Sequence, residues 1–150
     1  MPDEDAQVSP DGKWVAESFG GVGAFEVNVR GLGAGAGNWQ ISQGGGTRPV
    51  WSKAAKELYY LNQTDGSLMV VSYTVNGESF VLGTPRPASK YKVPPGSNPV
   101  RNSFDVHPDG KRIVLIAPAE EDKRDRLTQE AYHVIVNLRA EIESKLGTAR

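Results

Sequence analysis

A chain of 150 residues with 38% apolar and 23% charged side chains is long enough for one domain with a real core. Its 17 glycines and 10 prolines make it turn-rich, and the composition is not that of a disordered chain. Seventeen basic against eighteen acidic side chains give no strong field for nucleic acid or an anionic membrane, and the absence of cysteine excludes disulfides, thiolate nucleophiles and cysteine-based zinc sites.

The opening, MPDEDAQVSP, is acidic and lacks the basic and apolar stretches of a signal peptide. No run approaches the ~20 apolar residues that span a bilayer. As written the chain is expected in the cytoplasm; as part of a longer exported protein it would be periplasmic or extracellular. Next comes VSPDGKWVAESF (8–19), a short apolar pattern opened by Ser-Pro-Asp-Gly, and VHPDGKRIVLI (106–116) repeats the phrase. Pro10 and Pro108 fix φ at the first corner of a turn, Asp11 and Asp109 accept from neighbouring amides, and Gly12 and Gly110 tolerate positive φ. Aligning on the lysine adds a third copy, so that Lys13, Lys56 and Lys111 fall in register, 43 and 55 residues apart. The central copy, RPVWSKAAKELYYLN, keeps the frame and loses Pro-Asp-Gly. Each phrase is therefore expected to be a β-hairpin.

Further strands are expected after each hairpin: 25–29 and 39–42 after the first, 68–75 and 79–82 after the second, and 132–138 after the third. Ten of the glycines fall between Gly20 and Gly46 and five of the prolines between Pro85 and Pro99, marking links. From Leu138, LRAEIESKLG sets Leu138, Ile142 and Leu146 at helical spacing with Gly147 as a C-cap, so a short terminal helix is expected over 138–146. About four strands per ~40–45 residues is the period of a β-propeller blade.

The stretch VSPDGKWVAESF, FEVNVRGLG, WQISQGGGTRPVWS, KELYYL, GSLMVVSY resembles the TolB-type, WD-repeat-like β-propeller family. It is particularly similar to the C-terminal propeller blades of bacterial eukaryotic-like serine/threonine kinases, and FDVHPDGKRIVLIAPAEE with HVIVNLRAEIESKL resembles their closing segment. The likeness covers residues 7 to 146 and concerns the fold; no kinase signature is present. It implies an all-β chain of three four-stranded β-propeller blades (about 7–43, 47–84 and 101–138) with the short C-terminal helix. Propellers usually need four to eight blades. Three would leave two large apolar faces, so half of a six-bladed propeller completed by a second copy is expected. After 132–138 no fourth strand is evident in blade three, and MPDEDAQV of a neighbour is a candidate to supply it.

Several constellations suggest chemistry, and each has a plainer reading. Asp105, His107 and Asp109 alternate like metal ligands on a strand, but Asp109 belongs to the turn. His133, beside Tyr132, has no nucleophile elbow to serve. GLGAGAGN (31–38) is followed by a strand pattern where a dinucleotide loop needs a helix, and GGGT (44–47) lacks a phosphate-binding lysine. EEDKRDR (120–126) is a mixed-charge linker, and Asn62-Gln63-Thr64 is a formal glycosylation acceptor. Trp14, Trp39, Trp51, Tyr59 and Tyr60 suit packing between blades. No catalytic, cofactor-binding or metal residue is assigned. The expected role is a non-catalytic interaction or scaffold module binding itself and a protein or peptide, through loops around 20–24, 43–49 and 94–103. The competing expectations are a hydrolase-type or metal-dependent enzyme with its site in the channel, and a truncated propeller fragment with no ligand.

Overall fold

The computed structural model describes residues 5–21, 24–93, 104–118 and 132–135. The described chain is all-β and folds as three antiparallel meanders in sequence order. Sheet one contains β1 (Gln7–Val8), β2 (Trp14–Gly21), β3 (Ala24–Gly31) and β4 (Asn38–Gln40). Sheet two contains β5 (Thr47–Trp51), β6 (Glu57–Leu61), β7 (Ser67–Asn76), β8 (Ser79–Leu82) and β9 (Arg86–Lys92). Sheet three contains β10 (Phe104–Val106), β11 (Ile113–Pro118) and β12 (Tyr132–Ile135). The terminal helix expected over 138–146 and the last residues of the expected strand 132–138 lie outside the described residues.

The three lysine-aligned phrases form three equivalent hairpins. Each is closed by the same backbone bond: Ser9 N–H to Trp14 C=O at 2.8 Å, Ser52 N–H to Glu57 C=O at 3.0 Å, and His107 N–H to Arg112 C=O at 2.9 Å. Gly12 and Gly110 take φ of +72° and +66°, the left-handed corner that penalises any side chain. The central copy dispenses with that corner because the Ser52 hydroxyl accepts the Ala55 N–H (3.2 Å) and holds the turn. The turns lie side by side at one end of the molecule. Lys56 reaches Asp11 at 4.0 Å, and a Cβ on Gly110 would sit 2.7 Å from the Ala54 methyl.

Sheet two has an outer strand that the sequence concealed. β8 pairs with residues 73–76 of β7, and Gly83 N–H extends that pairing to Ser72 C=O (2.8 Å). β9 then continues along the same edge, with Arg86 opposite Val70 and Lys92 opposite Ser67. Met69 pairs with β6 on one side and β9 on the other, which fixes β9 as the edge. Pro85 and Pro87 marked this stretch as a link, yet an edge strand such as β9 accommodates a proline like Pro87.

The middle sheet is buried on both faces. All five residues of β6 are buried, and alternation sends them to opposite sides. Leu58 and Tyr60 join Trp51, Val71 and Tyr73 against Trp14, Ala16, Val27, Val29 and Ile41 of sheet one. Tyr59 and Leu61 join Leu68 and Val70 against Phe104, Val106, Ile113 and Leu115 of sheet three. The sheets approach each other most closely through β5, which meets β1, β2 and β3 on one side and β10 on the other. Large rings, from β5 out to β4 and β8, fill the space between sheets one and two. Trp14, Trp39, Trp51, Tyr73 and Phe80 interlock at centroid separations of 4.8 to 6.2 Å.

Candidate functional site

Two of the three expected binding loops fall at one end of the stack, opposite the hairpin turns. The 43–46 connection is tied to the β2–β3 hairpin by Gly46 N–H to Phe25 C=O (2.7 Å), and to the 62–66 turn by the Thr64 hydroxyl on Gly44 C=O (2.6 Å). Val93 N–H on Gly66 C=O (2.8 Å) brings the start of the third loop to the same end, while 94–103 itself lies outside the described residues. The GGGT amides do what a phosphate loop's amides do, but for an anion of the chain itself. The Glu26 carboxylate accepts from Gly44 N–H (2.9 Å) and Gly45 N–H (3.0 Å), and also from the Ser42 hydroxyl. Ser42 is fully buried, and its oxygen accepts the Val27 N–H at 2.8 Å. Ser42→Ala leaves that amide buried without an acceptor and releases Glu26. The expected cost is about 1–3 kcal/mol, measured by urea unfolding.

The other candidates resolve similarly. GLGAGAGN leads into strand β4, and a Cβ on Gly37 would meet the Trp39 ring at 2.7 Å, so these glycines admit tryptophans rather than a pyrophosphate. Asn62 Oδ1 accepts the Thr64 N–H (2.8 Å), which makes the glycosylation-like triplet a tight turn. Tyr59 donates to Glu57 at 3.0 Å and Arg86 reaches the same carboxylate at 3.4 Å, which satisfies a buried acid at the edge of the second core. Trp51 donates its indole N–H to Gln7 C=O (2.9 Å). His133 and Tyr132 lie in β12 opposite Ala117 and Pro118, and 120–126 lies outside the described residues.

Asp105, His107 and Asp109 do not converge. Asp105 is exposed on β10 and accepts from its own neighbour, Val106 N–H (2.8 Å). His107 and Asp109 share the hairpin turn with Arg112, whose guanidinium lies 2.9 Å from His107 Nε2 and donates to Asp109 at 3.0 Å. A cation on the imidazole nitrogens opposes metal binding there. Among the described residues no three histidine or carboxylate side chains gather in a metal-binding group.

Two carboxylates are held well below the usual value of 3.8. Asp65 falls to about 2 through hydrogen bonds from Lys92 and from the Ser67 hydroxyl and amide. Asp109 falls to about 2 through the Lys111 amide, with His107 and Arg112 assisting. A folded-state value below the unfolded one means that stability is present above about pH 4 and is lost as pH falls towards 2. Thermal melts are expected to show this acid limb, and Asp65→Asn or Asp109→Asn to flatten it.

Among the described residues, the front of sheet one and the back of sheet three have no neighbouring sheet against them. Register makes the three sheets comparable position by position. Trp51, Leu58 and Tyr60 on sheet two match Val106, Ile113 and Leu115 on sheet three, and all six are buried against the neighbouring sheet. The matching front-face residues of sheet one are Val8, Val15 and Glu17. Opposite them, Met69 and Val71 of sheet two give way to Asn28 and Arg30. Arg30 and Glu17 pair at 3.6 Å, with about half of the arginine side chain and a third of the glutamate exposed. Of the two large apolar faces expected, the front of sheet one is mixed in its described residues, with charges among its apolar side chains. Val8, Phe19 and Leu32 are its exposed apolar residues. Residues 7 and 8, read as a strand to lend, are used at home as the first strand of sheet one. Comparison with family models gives no match, and comparison with curated proteins gives none either.

Proposed function

We propose that the chain is a section of a TolB-like β-propeller, working as a non-catalytic interaction module whose six-bladed ring is completed by a second copy. The observation that carries this reading is the repeated stacking: the front of sheet two lies on the back of sheet one, and the front of sheet three on the back of sheet two. With the sheets closest through β5, continued stacking of the same hand turns towards closure. The polar groups tested above are spent on internal structure, at Glu26, Glu57, Asp65 and Asp109. That leaves faces and loop ends as the means of recognition. Light scattering at micromolar concentration tests the reading. A mass of two chains is expected, and a single-chain mass with a cooperative melt overturns it.

A further inference from the structure

The front of sheet one has a partner prescribed by the rest of the molecule. At both internal contacts a front face meets a back face, and never front to front or back to back. Among the described residues this leaves one front, on sheet one, and one back, on sheet three. Resting on the reading of a two-copy ring, we propose that these two faces form the seam between copies, and that the seam is a polar, exchangeable interface unlike the dry contacts within the chain. The front of sheet one offers exposed Val8, Phe19 and Leu32 around the Glu17–Arg30 pair. Leu32 stands in the place of Tyr73, since Leu32 N–H bonds Lys13 C=O as Tyr73 N–H bonds Lys56 C=O. The back of sheet three presents exposed Asp105 opposite half-buried Val114, where sheet two has Val50 opposite Tyr59.

Both faces thus replace internal apolar residues by charges: the Glu17–Arg30 pair on one, whose guanidinium is half exposed, and exposed Asp105 on the other, so that Arg30 has an acid to meet across the seam. Two-fold symmetry makes two identical seams, so each substitution acts twice. Polar interfaces of this kind separate without unfolding of the subunits. The copies therefore come apart on dilution, at denaturant concentrations too low to unfold the sheets.

A charge swap tests the seam. Arg30→Glu sets two acids against Asp105 of the second copy, and Asp105→Arg sets two cations face to face. Each single variant is expected to raise the dimer dissociation constant at least tenfold by sedimentation, with near-UV circular dichroism unchanged because both positions are at the surface. The double variant is expected to recover dimerisation. If the native chain is dimeric and both single variants dimerise as tightly, the seam lies elsewhere and this inference fails while the two-copy reading survives. A native chain of single-chain mass overturns both.

Discussion

Trp51→Ala is expected to destabilise the protein by about 3–5 kcal/mol, read as a lower midpoint in urea. Trp51 is buried in β5, the strand through which sheets one and two come closest, and its ring makes edge contacts with Tyr73 and Phe80. Truncation removes a side chain that fills the space between the two sheets and leaves a cavity bordered by rings, which cannot collapse as aliphatic side chains do. It also strips Gln7 C=O of the indole N–H that ties β1 to sheet two. Trp51→Phe restores part of the volume and none of that bond, so it is expected to recover part of the loss.

Leu68→Ala is expected to cost about 2–5 kcal/mol, through the other core. Leu68 is fully buried, opposite Leu61 in the β6–β7 pair, on the face of sheet two that meets Phe104, Val106, Ile113 and Leu115. Trp51 and Leu68 belong to separate apolar clusters on opposite faces of one sheet. If sheet two joins both clusters into one cooperative unit, each variant shifts a single transition. Fluorescence and far-UV circular dichroism should then report coincident midpoints. Two separated transitions in the Leu68→Ala variant would show sheet three unfolding alone.

The sequence carried the hairpins in readable form because their turn chemistry is local. Pro10, Asp11 and Gly12 act within a few residues of each other, and the same frame at Lys56 was legible from its lysine although Ser52 had taken over the turn. β9 was not legible. Its Pro87 has a meaning only once β7 has placed it at an edge, and that pairing joins residues about twenty apart. The polar front of sheet one was also hidden. Glu17 and Arg30 look like ordinary alternation along a half-exposed strand, and their significance appears only when register shows that they hold the positions of Tyr60 and Val71 in sheet two. Glu26 was missed as the occupant of the glycine loop for a similar reason: sixteen residues separate it from Ser42, and only the β3–β4 fold brings them together. The metal-like spacing of Asp105, His107 and Asp109 was legible as a turn instead, because the Pro-Asp-Gly corner that breaks the alternation is local.

The account stands on sheet two being enclosed between its neighbours, and amide hydrogen exchange reads that enclosure directly. Amides of β6 and of the centre of β7 are expected to exchange only through global unfolding, far more slowly than those of β4 or the 31–37 loop. If the β6 amides open as readily as those of β4, the middle sheet has a free face and the stacked-sheet architecture is wrong.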